Sequence, residues 1–503
     1  MLLTNVHVEG FRCLHDVKVP VDDLSILLGE NNAGKSSFLR ALDFFFNGAQ
    51  LTKDDVFGSS DRPISVELTF NDLKAADRDA FTIYAQGDQM VLRRSWQDGE
   101  EKITGRSRRY PGFSDIREAS GNSRRRVYRE FREANPEMGL EEATTVDAIE
   151  QQLLTWEMNN PDLCETVDEE AGHLLGYRSV GEKRLSDRYK FVLVPAVRDA
   201  ASEAIERKGT ILQRILTAIA EQRAEADEKL ADLQEEMRSR YADVVQGSHG
   251  PTLSGLGRQL TEQMRRYIPT ADIVIEPQAP DLSIAAPHVS LRAGEERHVT
   301  DLGRQGHGFQ RTFIIAALEY LAAQASEDED SERPTLHLAL EEPELYQHPP
   351  RARHFSATLH ELANQSSVQV SYATHSPYFV GPGDLSGIRL FRQVPVRGEE
   401  DGPLQTAVVV GDLEKVNQFV PEQKELARYV ARTLDVRLGE ALFARAVLIV
   451  EGATDSAVFD QAARLGNIDL AANGIVIAAP GKSSIPIATA VLGCTSDSLL
   501  RRF

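Results

Sequence analysis

The chain has 503 residues, 41% of them hydrophobic and 26% charged, the composition of an ordinary globular protein with two to three domains. Its formal net charge of −21 argues against nucleic-acid binding by the whole surface. It leaves room for a local basic groove, because screening limits a charge's reach to about 10 Å. Cys13, Cys164 and Cys494 lack metal spacing and cannot build a disulfide framework. No apolar run reaches membrane-spanning length. Met1–Val8 alternates like a strand rather than a signal peptide, so a reducing cytoplasm and no membrane partner are expected.

In chain order, a strand at Ser25–Leu28 leads into Gly29-Glu30-Asn31-Asn32-Ala33-Gly34-Lys35-Ser36. This matches the phosphate-binding pattern G-x-x-x-x-G-K-[ST]. A helix is predicted next, from Ser36 to Phe46, with Phe38, Leu39, Leu42 and Phe45 at helical spacing. The loop from Gly29 through Asn31, Asn32 and Gly34 to Ser37 is expected to turn backbone N–H groups toward phosphate. Lys35 would reach the β/γ-phosphates of ATP, and the Ser36 hydroxyl would ligate Mg²⁺.

Ile64–Phe70 alternates strictly and is predicted as a strand. Residues 100–135 are basic, with Arg106, Arg108, Arg109, Arg124, Arg125, Arg126, Arg129 and Arg132 interleaved with Tyr110, Phe113 and Tyr128. They suit either a DNA path with stacking tyrosines or a solvated, ion-paired face. A proline-free, charge-rich stretch from about 200 to 245 predicts one or two helices available for a dimer contact. Gly303-Arg304-Gln305-Gly306-His307-Gly308 precedes an apolar helix at Thr312–Leu321. Small residues at a helix start suit close approach to a phosphate, as in a signature loop that completes the opposite protomer's site through Gly306 and Gly308. Ser326–Glu332 is an acidic connector.

Leu336–Leu340 is an apolar strand ending in Glu341-Glu342-Pro343-Glu344, the form of a Walker B segment. Glu341 would hold Mg²⁺ and Glu342 would act as general base on the attacking water. The strand Val368–Tyr372 ends in Ala373-Thr374-His375-Ser376-Pro377, which puts His375 in the place of a switch histidine at the γ-phosphate. Ile388–Phe391 is a further core strand, and Pro395, Gly398, Gly402 and Pro403 mark a linker. From about 441 a new βα unit opens. Its strand Ala446–Val450 runs into Glu451-Gly452-Ala453-Thr454-Asp455, two carboxylates suited to a divalent ion.

The order and content of these segments resemble the ABC-type ATPases of the RecF/SMC kind. The opening Val8-Glu9-Gly10-Phe11-Arg12 is similar to their N-terminal element, which implies that Arg12 contacts nucleotide. Glu341–Pro349, Ala373–Pro377 and Val194-Pro195-Ala196-Val197-Arg198-Asp199 look closer still to the OLD (overcoming lysogenization defect) family, Gabija nuclease-like proteins among them. The resemblance covers most of residues 1–395 and is weak over 75–190 and the helical stretch. It implies an α/β fold: an ABC-type P-loop ATPase with a helical insertion, followed by a truncated Toprim-like segment. The expected bounds are 1–150 and 256–395 for the ATPase, 151–255 for the insertion, 396–440 for a linker and 441–503 for the partial Toprim.

In such a Toprim segment Glu451 and Asp455 would hold Mg²⁺ or Mn²⁺. Ile475–Pro486 looks like the next strand and Gly-Lys-Ser turn, and a strand ending in Asp-x-Asp should follow. Here Asp497 stands without a partner before Phe503, so a weakened metal site is expected. Two readings stay open. One is an ATP-regulated, metal-dependent DNA endonuclease in anti-phage defence, with double-stranded DNA, a second copy through the ATPase heads and a separate defence subunit as partners. The other is a RecF-like ATPase switch that does not cut.

Overall fold

Leu3, Val6 and Val8 of the first strand point inward and are fully buried, a register made possible by an irregularity between Leu3 and Asn5. That strand, β1 (Leu2–Phe11), pairs antiparallel with β2 (Leu14–Pro20) and β4 (Ile64–Asn71). The sheet continues through β6 (Gln89–Gln97), β7 (Glu100–Arg109) and β8 (Glu165–Glu170), with β5 (Ala85–Gln86) beside β6. One face is apolar: Val66, Leu68, Leu92 and Ile103 join the core. The other is charged, with Arg93 and Arg106 both on Glu67 at 2.6 and 2.9 Å. This is the pattern of an antiparallel sheet with one solvated side. The structure is a computed structural model, and it describes residues 1–58, 62–171, 184–196, 236, 240, 255–256, 258–266, 292–295, 298–301, 305–306, 309, 312–313, 316–317, 334–345, 347–381, 384–396, 404–411, 436–482 and 485–494.

The second sheet runs β15-β14-β3-β13-β12-β9. Its strands are β3 (Leu24–Gly29), β9 (Tyr189–Val194), β12 (Thr335–Glu341), β13 (Val368–Ala373), β14 (Ile388–Pro395) and β15 (Leu404–Val410). All pair in parallel except the edge strand β15. Every residue of β13 is buried, as expected of a parallel strand covered on both faces. Helix α1 (Lys35–Asn47) packs on strands of both sheets. It therefore buries Ala41 and Phe44 besides Phe38, Leu39, Leu42 and Phe45, more than a one-sided amphipathic stripe requires. Across β12, β13 and β9 runs a buried polar row. His337 lies 2.9 Å from the Tyr189 hydroxyl and 2.8 Å from Ser371 Oγ, and Tyr189 donates to Gln369 Oε1. Burial lowers His337 to a pKa of about 3, so it serves this row as a neutral ring.

Helices α2 (Gly121–Ala134) and α3 (Val146–Asn159) close a small separate core of Phe113, Ile116, Tyr128, Ile149 and Leu153. Helix α4 (Pro349–Ala363) packs on β13. Helix α5 (Val436–Ala441) leads to β16 (Ala446–Ile449), which pairs in parallel with β17 (Ile475–Ala478). Helices α6 (Ala453–Leu465) and α7 (Ile485–Cys494) belong to the same segment. The chain divides into two compact units, residues 1–198 with 318–503, and residues 199–317. In the second, β10 (Arg292–Glu295) and β11 (His298–Asp301) form an antiparallel pair. The helices expected at 200–245 lie outside the described residues except Glu236 and Arg240. Among the described residues no helix is long and apolar enough to cross a membrane.

At the amino ends of β3 and β13 a groove of about 830 Å³ is lined by Asp22, Asp23, His360 and Asp384, among others. His360 meets Asp384 Oδ2 at 2.7 Å and the Ser356 carbonyl at 2.6 Å. Both ring nitrogens therefore face acceptors, which favours imidazolium. Burial would lower its pKa, but the Asp384 hydrogen bond and charge outweigh this and hold it above the ordinary value. A raised folded pKa contributes stability that is complete below the unfolded value of about 6.5 and is lost as pH rises through the folded one. Asp384→Asn should therefore lower the melting temperature near pH 6 and flatten its fall above that. An identical pH profile in variant and wild type would refute this clasp.

Candidate nucleotide site

The phosphate-binding loop leaves the carboxyl end of β3. Gly29 has φ 141 and Gly34 φ 106, conformations that L side chains rarely adopt. Space requires glycine as well: a Cβ at Gly29 would collide with the Phe391 carbonyl oxygen, and one at Gly34 would lie 2.5 Å from Thr406 Oγ1. Strands β14 and β15 also hold the loop, Thr406 Oγ1 donating to Ala33 O and Gln393 Nε2 to Asn32 O, both at 2.9 Å. Asn31, Asn32 and Ser36 are exposed at the loop, and Ser37 is half-buried against Cys13. Lys35 is buried, with Nζ donating to Gly29 O at 2.7 Å and Glu30 O at 2.8 Å. Burial lowers its pKa to about 8 against the pull of Glu342, Glu344 and Glu30.

Strand β12, two places from β3 in the sheet, ends on Glu341. Its Oε2 accepts from Ala196 N–H at 3.2 Å, and Arg40 Nε stands 3.5 Å from Oε1. The Val194-Pro195-Ala196 segment thus holds the first acid in place. Glu341 Oε1 is buried without a hydrogen-bond partner. A buried carboxylate oxygen that accepts no hydrogen bond and meets only the longer Arg40 ion pair fits a divalent cation or its water. Glu342 follows with φ 45 and donates its N–H to Ala373 O at 2.7 Å. A left-handed glutamate is a strained conformation of the kind that clusters at functional sites.

Strand β13 lies between β3 and β12 and is followed by Thr374 and His375. Burial, then the charge of Lys35, lowers the pKa of His375. Lys35, Glu342 and His375 are close enough to feel one another's charge. The three motifs therefore converge at the carboxyl ends of adjacent parallel strands, where an open α/β sheet offers a ligand crevice. Two residues that the sequence motifs did not assign join them: Arg40, four places after Ser36 on α1, and Glu344, which bonds Thr374 and His375. Arg40's helical spacing from Ser36 and Glu344's place in the acidic turn were the available signals.

The remaining expected residues are placed as follows. Arg12 has φ 54, and its Nε lies 2.9 Å from Asp55 Oδ1. Gly306 is exposed in the second unit, and Gly308 lies outside the described residues. Glu451 is exposed and pairs with Lys482 at 3.7 Å. Asp455 accepts from Gly452 N–H at 3.3 Å at the start of α6. Among the described residues the one group of three metal-ligating side chains within reach of a common ion is His7, Glu9 and Asp16. Among the described residues, Glu451 and Asp455 are not joined by a third ligating side chain within reach of a common ion. Asp497 lies outside the described residues.

Of the two readings of the basic stretch 106–132, the ion-paired face describes several of its arginines. Arg109 pairs with Glu169 at 2.6 Å and Glu157 at 3.2 Å, Arg117 with Glu157 at 2.8 Å, and Arg124 with Glu150. Tyr128 is 1% exposed, and Tyr110 packs edge-on against Phe113. These tyrosines are core rings rather than stacking platforms for bases. Arg125 and Arg129 stay exposed on the outer face of α2, with Arg132 one turn further and half-buried.

The family profile described as AAA ATPase domain matches residues 1–104 and 120–380. The overcoming lysogenization defect protein-like TOPRIM domain matches residues 442–495. The Old nuclease of Escherichia phage P2 is 21% identical over 463 residues, which span 91% of this chain and 68% of that protein. The OLD nuclease of Thermus scotoductus is 22% identical over 508 residues, 97% of this chain and 79% of the relative. Among solved structures, an Smc head bound to the C-winged helix domain of ScpA covers 83% of this chain and all of its own, at 14% identity and a TM-score of 0.38. An Smc head with an extended coiled coil, bound to a C-terminal domain of ScpA derived from Pyrococcus furiosus, covers 84% and 99% at 14% identity and a TM-score of 0.39.

Proposed function

The chain belongs to the AAA ATPase domain family and carries an OLD-like TOPRIM domain, and from that premise we propose an ATP-driven switch that acts on double-stranded DNA. The single observation that carries it is the convergence of Lys35, Glu342 and His375 at the carboxyl ends of three neighbouring parallel strands, beside a Glu341 oxygen that accepts no hydrogen bond. Lys35 would leave the carbonyls of Gly29 and Glu30 for the β/γ-phosphates. Glu342 would take the proton of the attacking water, and His375 would contact the γ-phosphate. Ser36 and Glu341 would hold Mg²⁺, which would neutralise charge on the phosphate oxygens. Gly306 and Gly308 of a second copy would close the site from the other side, making the ATP-bound form a head-to-head dimer.

Regulation of the C-terminal segment by ATP draws support from packing. Helix α5 sits on the turn Pro377–Phe379, two residues past His375, and a Cβ at Gly439 would lie 2.9 Å from Pro377 Cβ. Arg445 pairs with Glu30 of the phosphate loop at 3.8 Å. A change at either loop would thus be felt at the foot of β16. Glu451 and Asp455 would supply two donors for Mg²⁺ or Mn²⁺, and cutting would need further acids beside them. The outer arginines of α2 are the proposed phosphate contacts. In this reading the chain is the ATP-regulated part of an endonuclease, serving anti-phage defence in the cytoplasm with a further defence subunit. The second reading, a switch without cutting chemistry, is favoured by the want of a third ligating side chain beside Glu451 and Asp455 among the described residues.

One DNA experiment separates them. Supercoiled plasmid is incubated with the protein and Mg²⁺ or Mn²⁺, beside Glu451→Ala and the combined Arg125→Ala, Arg129→Ala, Arg132→Ala variant. Cleavage that falls at least about tenfold in Glu451→Ala supports the endonuclease. Intact ATP turnover without cleavage leaves the switch. The triple variant should weaken duplex binding and reduce the salt slope by about 0.9 for each phosphate that an arginine no longer neutralises. An unchanged slope removes α2 from the DNA path.

A further inference from the structure

Glu344 stands outside the motif roles assigned above, yet it ties two of them together. Its Oε1 accepts the His375 N–H at 2.7 Å, and its Oε2 accepts the Thr374 hydroxyl at 2.9 Å. Thr374 Oγ1 in turn accepts the Ser376 N–H at 3.0 Å. One carboxylate therefore engages, directly or through Thr374, three successive residues of the loop after β13. Thr374 is fully buried, and burial pushes the Glu344 carboxyl up in pKa despite these donors. The carboxylate is half-buried and turned to the loop. Glu344 reaches it from the turn that begins with Glu342, whose own N–H is bound by Ala373 O. The turn and the loop are thereby cross-linked at both ends: backbone to backbone at Glu342–Ala373, and side chain to backbone at Glu344–His375.

We infer that Glu344 is a positioning residue for ATP hydrolysis: it fixes the backbone at His375 relative to Glu342, so that base and histidine meet the same γ-phosphate. The inference rests on the role proposed for His375. Charge-assisted hydrogen bonds to backbone N–H groups are short and directional, which suits a clamp better than a general acid. Glu344 needs no contact with nucleotide in this role, and ATP affinity, set by the phosphate loop on β3, is left to Lys35 and its neighbours.

The test is a double-mutant cycle on steady-state ATP turnover with Glu344→Ala, His375→Ala and the pair, with Glu344→Gln as the conservative control. A misplacement of about 1 Å costs on the order of 100-fold in rate, so Glu344→Ala should lower kcat by roughly 10- to 100-fold with KM for ATP within about threefold. The pair should be no slower than His375→Ala alone, because the clamp acts through that residue. Glu344→Gln keeps one acceptor for the His375 N–H, and its amide can donate to the Thr374 oxygen, so it should recover part of kcat. Additive losses in the cycle overturn the inference, as does a Glu344→Ala defect confined to KM. Wild-type turnover in His375→Ala would instead refute the role of His375 itself, and Glu344→Gln at wild-type melting temperature but as slow as Glu344→Ala would also count against positioning.

Discussion

Lys35→Ala is expected to abolish ATP hydrolysis, with kcat falling by at least about 10²- to 10³-fold, the cost of removing a charge aimed at the transition state. The lysine is buried, and its Nζ is spent on the carbonyls of Gly29 and Glu30. These two contacts hold the ammonium within the loop, where bound phosphates would compete with the carbonyls for it. Alanine removes the cation without adding bulk at a crowded position. A matching melting temperature would show that the fold survives the loss of this cation. Arginine is no substitute, because its planar fork does not fit where a compact ammonium is enclosed. Near-normal turnover in Lys35→Ala would sink the assignment of the loop.

Glu342→Gln should bind ATP as the wild type does and stall before hydrolysis. The change is isosteric and keeps the left-handed backbone at φ 45 and its N–H bond to Ala373 O, so the turn is undisturbed. Only the capacity to take a proton is lost, a defect of about 10²- to 10⁴-fold. If Gly306 and Gly308 of a second copy complete the site, the stalled complex accumulates as a dimer. Light scattering with and without ATP reads this directly. A variant that stays monomeric with ATP bound contradicts the shared site.

Much of this was legible because the motifs are local. A strand, a glycine turn and a helix lie within Leu24–Asn47, and the predicted helix from Ser36 to Phe46 is observed as Lys35–Asn47. The Walker B strand and the strand before His375 were likewise readable from short apolar runs ending in polar residues, and the observed strands are Thr335–Glu341 and Val368–Ala373. The order of strands was not legible. That β9 lies beside β12, so that Ala196 N–H reaches Glu341, depends on residues 145 apart in sequence.

Which of the two readings of the arginine stretch holds at each residue was hidden for the same reason. Arg109 finds Glu157 across 48 residues and Glu169 across 60, so local composition shows the cations and hides their partners. Glu344 was quoted as part of a motif but carried no role, because its use appears only when β12 and β13 are paired in register. The C-terminal strand and its two acids could be read, and their partners, Lys482 and the Gly452 N–H, came only with the fold.

The measurement that tests the account most directly is a crystal structure of the protein with a non-hydrolysable ATP analogue and Mg²⁺. Lys35 Nζ is expected to have moved from the Gly29 and Glu30 carbonyls to the β/γ-phosphates, with the ion beside Ser36 and Glu341 and with Glu342 and His375 both facing the γ-phosphate. Nucleotide bound elsewhere, or Lys35 still on its two carbonyls with the phosphates out of reach, would contradict it.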